Sequence, residues 1–178
     1  HPAHWSTVEL AYLAPRRDGL VGRYGLHLHE CGNGTDGSVF HRVVAHDIGH
    51  HTFVPHMSHG VTFDQCVSHN SWNDAYWWDQ PPNNRTPAPP TNRLWWKDCI
   101  ASRVQFNPEY RAYRLGGFNL GRDDNQAGNG NKMTGCVAVG VVANTSNVND
   151  PAYADSAGII WPEELNGADG VWEFHDNV

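Results

Sequence analysis

The chain has 178 residues, with 18 Gly, 11 Pro and 8 Trp, a formal charge of −7 and only 17% charged residues. That length suits one domain, residues 1–178, with a core of its own. The negative balance argues against nucleic acid or an anionic membrane surface as partner, since both ask for a basic face.

No apolar run approaches the ~20 residues of a membrane span. No leader precedes His1, so a chain numbered from a mature terminus is expected to have lost one. Glycosylation triplets stand at Asn33, Asn84 and Asn144, and four cysteines permit two disulfides in any of three pairings. Together these favour a secreted glycoprotein. The expected pairs are Cys31 with Cys66 and Cys99 with Cys136, although sequence does not fix connectivity.

In chain order, Val8, Leu10 and Tyr12 alternate with Thr7, Glu9 and Ala11, the period-two signature of a half-buried strand. A turn at Arg17 to Gly19 leads to an extended stretch, Leu20 to His29. A second turn, Cys31 to Gly37, precedes the strand-like SVFHRVVA from Ser38. Ser71 to Trp96 is crowded with Pro and Trp and reads as a long structured loop. Strand character returns in CIASRVQF from Cys99 and in AYRLGGFNL, followed by a Gly/Asn/Asp-rich loop from Gly121 to Asn131. Cys136 to Ala143 (CVAVGVVA) suits a buried central strand. A helix-compatible piece at Pro162 to Asn166 and a last strand, VWEFH, close the chain. No internal repeat is evident. Short strands separated by turns predict an all-β fold, an antiparallel β-sandwich of immunoglobulin-like or jelly-roll type with long loops.

Val43 to His69 carries His46, His50, His51, His56, His59 and His69 beside Cys66. Neutral imidazole is the commonest protein ligand for copper, zinc and nickel, so the stretch is read as metal-binding, with a run of solvent-facing histidines as the plain alternative. His1 offers both an α-amino group and a ring nitrogen to one ion, and a second histidine would complete a three-nitrogen set that suits copper. His59 is the favoured second ligand, with His50, His51 and His56 as alternatives. Separately, His27 and His29 fall on one face of a strand because the side-chain period is two.

With His1 at the start, His59-Gly60 ahead of Gln65-Cys66-Val67-Ser68, and Met133-Thr134-Gly135-Cys136 late in the sequence, the chain resembles the lytic polysaccharide monooxygenases over about a third of its length. The resemblance implies a secreted, monomeric, mononuclear copper enzyme that cleaves glycosidic bonds oxidatively, fed by an external electron donor. It implies copper on His1 and His59, with Met133 where the family carries an axial Tyr or Phe, or Phe174 in its place. Asp98 to Phe118 with Met133 and Cys136 is similar to the methionine-containing copper domain of ascorbate-dependent monooxygenases, which implies His27, His29 and Met133 as ligands. GLHLHECGNGT and GCVAVGVV resemble strands of copper/zinc superoxide dismutases, and HDIGHH resembles the signature of helical phosphohydrolases. Tyr76, Trp77, Trp78, Trp95 and Trp96 offer flat faces for stacking on sugars or for covering the sheet edge. A non-catalytic metal- or carbohydrate-binding module is the reading from a different class.

Overall fold

The computed structural model describes residues 1–16, 22–77, 91–106, 115–120, 128–142, 156–160 and 173–178. Outside the described residues lie the turn expected from Arg17 to Gly19, half of the Pro- and Trp-rich stretch, with Trp78 and Asn84, and most of the loop from Gly121. Asn144 and the helix-compatible Pro162 to Asn166 lie outside them as well.

The strands are β1 (His4–Ala11), β2 (Leu26–Gly32), β3 (Ser38–Ile48), β4 (Phe53–Ser58), β5 (Val61–Asp64), β6 (Val67–Ser71) and β7 (Tyr76–Trp77). They continue with β8 (Trp95–Lys97), β9 (Ile100–Val104), β10 (Leu115–Asn119), β11 (Lys132–Thr134), β12 (Val137–Val141), β13 (Ser156–Ile160) and β14 (Glu173–His175). Among the described residues every pairing is parallel. A five-stranded sheet runs β13-β10-β7-β4-β2, and a nine-stranded sheet holds the remainder.

The register shows how the chain is wound. From Val44 it comes back alongside itself at Val67, then at Ile100, then at Val137. The other sheet keeps step, Phe53 pairing with Tyr76 and Phe118 with Tyr76 in turn. The protein is therefore a parallel β-solenoid, in which each turn after that of β1 contributes strands to both sheets and stacks on the turn before.

This overturns the antiparallel sandwich expected from the sequence. Alternating apolar and polar residues mark a half-buried strand of either direction, so the pattern finds the strands without their sense. The chain bends instead at corners, several of them inside stretches read as uninterrupted strands, such as Arg42 in β3 and Arg103 in β9. Thr7, Arg42, Gln65, Asp98, Gly135 and Asp176 all have positive φ and, by the register, occupy one column. Tyr12, Asp47, Asn70, Arg103 and Gly140 form a second such column, and Gly37, Gly60, Arg93 and Gly130 a third. One left-handed residue bends a strand through a corner without sending it back, and the neighbouring turns hold that bend. Gln65 N–H donates to Lys97 O at 2.9 Å and Asp98 N–H to Thr134 O at 2.8 Å. Cys136 to Ala143, expected as a buried central strand, instead supplies β12 at one end of its sheet, with Val139 53% exposed.

Inward-facing residues also stack from turn to turn. Phe40 lies on Phe63 (5.3 Å, 18° between rings), and in the other sheet Tyr76 lies between Phe53 (4.9 Å) and Phe118 (4.5 Å, 9°). Phe53 meets Phe63 at 5.4 Å and joins the two columns across the interior. Burial of these rings, each worth about 1.5–3 kcal/mol relative to exposure, ties successive turns together. Val43, Cys66, Cys99 and Cys136 form a third interior column, all fully buried. The four cysteines are free thiols, so neither expected pair, Cys31–Cys66 nor Cys99–Cys136, is present; Cys31 is exposed whereas the other three are buried.

Candidate metal site

The sequence of β2, Leu-His-Leu-His, turns Leu26 and Leu28 to the core and leaves His27 and His29 on the outer face of the five-stranded sheet. β4 does the same with Phe53-Val54-Pro55-His56, burying Phe53 against Tyr76 and carrying Val54 and His56 on the face of the two histidines. The pairing is in register, His27 against Val54 and His29 against His56.

One nitrogen from each of His27, His29 and His56 lies within 4.8 Å of the other two. The His29 and His56 rings are 4.8 Å apart and nearly perpendicular, at 86°, while His27 stands 6.1 Å from His56. Nitrogens bound to one ion at ~2.0–2.1 Å sit roughly 3.3 Å apart, so small side-chain rotations close the set. His56 is buried and the His29 side chain is 56% exposed, so the group opens to solvent on the His29 side.

The protons are partly placed by the backbone. His27 Nδ1 is 2.9 Å from Gly22 O. A carbonyl only accepts, so Nδ1 carries the proton and Nε2 keeps its lone pair for a ligand. Glu30, itself at φ 51, brings its carboxylate to 3.7 Å from His29 Nε2.

Beside this group lies a buried aromatic and imidazole cluster. Tyr24 contacts His27 (4.8 Å), His50 (4.9 Å), His51 (5.0 Å) and Trp77 (5.5 Å). His51 stacks on Trp77 at 3.9 Å, and its Nδ1 is 3.1 Å from Asp74 Oδ2. The other Asp74 oxygen accepts from Gly116 N–H at 2.6 Å. His51 N–H donates to His50 Nδ1 at 2.9 Å. Burial, helped by the neighbouring His51, pushes the His50 pKa down to about 3, so this ring is neutral at ordinary pH.

The other residues singled out in the sequence are dispersed. His1 is exposed and lies ahead of β1. His59 is buried; its Nδ1 accepts from Asn92 N–H at 3.2 Å, and burial, then the Arg93 charge, hold its pKa down. Val39 pairs with His4 on one side and Thr62 on the other, so His1 and His59, each three residues earlier, belong to turns once removed. Met133 is fully buried in β11, three turns and roughly 14 Å along the axis from His27, at ~4.8 Å per turn. It pairs with Phe174, which is 41% exposed. His41 binds Asp64 at 2.9 Å and His69 binds Ser102 at 2.8 Å. His46 sits between Glu9 and Asp47, whose hydrogen bonds raise its pKa. Of the aromatic group, Tyr76, Trp77 and Trp96 are buried, and half-buried Trp95 donates Nε1–H to Thr134 Oγ1 at 3.0 Å.

The structure thus brings His27 and His29 together with His56, a combination not drawn from the sequence. Its signal was the match between LHLH at 26–29 and FVPH at 53–56, which have the same inward and outward order one turn apart. No protein-family model, curated protein or solved structure matches the chain.

Proposed function

We propose that the protein is a metalloenzyme whose centre is one late first-row divalent ion on His27, His29 and His56. The observation that carries this reading is the convergence of three imidazole nitrogens within 4.8 Å from two in-register strands. Three neutral nitrogens suit copper and zinc above magnesium or calcium, and copper stands highest in the affinity order of divalent ions. Bound there, copper would exchange electrons with an external donor, whereas zinc would acidify a coordinated water toward neutral pKa.

The chain's own residues set up such a centre. The bond to Gly22 O presents His27 Nε2 to the ion, and the parallel register holds His29 and His56 side by side. Three protein ligands leave a position free on the exposed His29 side, next to the Glu30 carboxylate. A centre on the outer face of a sheet is reached by a polymer as readily as by a small molecule. This supports the expectation of a polysaccharide substrate and, with copper, of reductant-dependent oxidation; secretion accords with that chemistry.

The experiment is metal titration of the wild type and of His27→Ala, His29→Ala and His56→Ala, with His175→Ala as an exposed control. The proposal expects one equivalent of Cu2+ or Zn2+ bound by the wild type and the control, and loss of it in each of the three variants. Binding that persists in those variants but is lost on masking the α-amino group of His1 would favour the terminal histidine with His59. Polysaccharide incubated with the copper form and ascorbate then tests the reaction: oxidised chain ends support oxidation, and simple hydrolysis by the zinc form supports water activation.

A further inference from the structure

We infer that the interior column Cys66, Cys99 and Cys136 is a redox-modifiable site, in which Cys99 takes either neighbour as its disulfide partner. Each cysteine directly precedes one of the register-matched residues Val67, Ile100 and Val137, so the three thiols follow one another on successive turns. Neighbouring parallel strands are ~4.8 Å apart, inside the ~4.4–6.8 Å between α-carbons that a disulfide spans. Cys66 and Cys136 are two turns apart, roughly 9.6 Å, and cannot pair.

The side chains are aligned for this. Each thiol donates to a carbonyl one turn back, Cys66 to Phe40 O at 3.1 Å, Cys99 to Phe63 O at 3.3 Å and Cys136 to Trp96 O at 3.4 Å. Cys99 stands between the other two in the column, one turn from each. Cys31 sits at the end of β2 in the other sheet, exposed, with its thiol on His29 O. Three thiols in a row permit one bond and leave one thiol over.

All three are fully buried, so the exchange occurs before the turns close on one another. The co-reactant is a low-molecular-weight disulfide. One column thiolate attacks a sulfur of that disulfide, forms a mixed disulfide and expels a small thiolate. A second column thiolate then attacks the protein sulfur and releases the other small thiol. Two electrons pass from the column to the small disulfide, and the two protons lost by the cysteines end on the small thiols. The product is a staple between adjacent turns.

The test is refolding of the full chain from denaturant, with dithiothreitol or with a mixture of reduced and oxidised glutathione, followed by alkylation in denaturant and peptide mapping without reduction. Four alkylatable cysteines are expected after reducing refolding and two after oxidative refolding, with Cys99 joined to Cys66 or Cys136 and Cys31 always alkylated. Cys31→Ala keeps the bond, and Cys99→Ala abolishes it. Four alkylatable cysteines under both conditions, a bond to Cys31, or a Cys66–Cys136 bond in Cys99→Ala overturns the inference. Should Cys99→Ala fail to fold, the map of the Cys31→Ala protein decides alone. The metal-binding proposal is untouched by any of these outcomes.

Discussion

His29 and His56 face each other across adjacent parallel strands, in direct register, with ring centroids 4.8 Å apart. A cross-strand pair of like side chains is common in a solenoid, but two imidazoles with a third beside them, His27, make a donor set rather than a packing motif. Removing a ligand costs more than the ~10–100-fold loss that follows removal of an outer-shell partner. His56→Ala is therefore expected to weaken Cu2+ or Zn2+ binding by more than about a hundredfold, whereas Glu30→Gln falls within that range. Competition against a chelator of known affinity measures both, and equal effects would remove His56 from the ligand set.

His50 makes the fold sensitive to acid. Its folded pKa of about 3 lies below the ordinary imidazole value of 6.5, so the unfolded chain binds the extra proton between those limits. Its contribution to stability is complete above pH 6.5 and falls as the pH drops toward 3, by up to about 1.4 kcal/mol per pH unit for one proton. Thermal melts of the metal-free protein at fixed ionic strength should show this decline. His50→Asn keeps an acceptor for the His51 N–H without a titrating ring, and its melting temperature should vary less over the same interval. An unaltered pH dependence in the variant would place the titrating group elsewhere.

Much of the strand content was legible in the sequence, and its arrangement was not. Val8 and Leu10 show period two, the SVFHRVVA run is rich in β-branched and aromatic residues, and they lie in β1 and β3. Period two also puts His27 and His29 on one face, which needs only their own strand. Placing His56 with them needs the register between β2 and β4, and that is set by a return of the chain which no local pattern encodes. The corner positions could have revealed the repeat, but Arg42, Gln65 and Asp98 fill one column where Gly135 follows. The returns are also unequal, from Val44 to Val67, Val67 to Ile100 and Ile100 to Val137, because the corners hold while the connections between them vary. A sequence comparison at fixed spacing passes over such a repeat.

Gly135 occupies its corner at φ 65, and a Cβ there would clash with Asp98 Oδ1. The left-handed backbone alone costs an L residue about 1–2 kcal/mol, and the contact adds to it unless Asp98 swings away. Gly135→Ala is expected to destabilise the protein by at least that amount. Adding Asp98→Ala should recover the steric part and leave the backbone part, a coupling that urea denaturation of the two single variants and the double variant measures. Additive effects would show that the aspartate already lies clear of the corner.

Tyr76 joins two functions in one side chain. Its ring is held between Phe53 and Phe118, and its hydroxyl donates to Cys66 O at 2.8 Å inside the core. Burial and the nearby thiols raise its pKa well above the usual phenol range, so the hydroxyl stays a donor across the stable pH range. Tyr76→Phe keeps the stack and removes the donor; a net loss of about 1 kcal/mol is expected, since the Cys66 carbonyl also accepts from Ile100 N–H at 2.9 Å. Tyr76→Ala breaks the aromatic column as well and should cost about 3–5 kcal/mol. Denaturant midpoints at constant slope measure the difference. If the two variants proved equally unstable, the hydroxyl rather than the stack would be what links β7 to the opposite sheet.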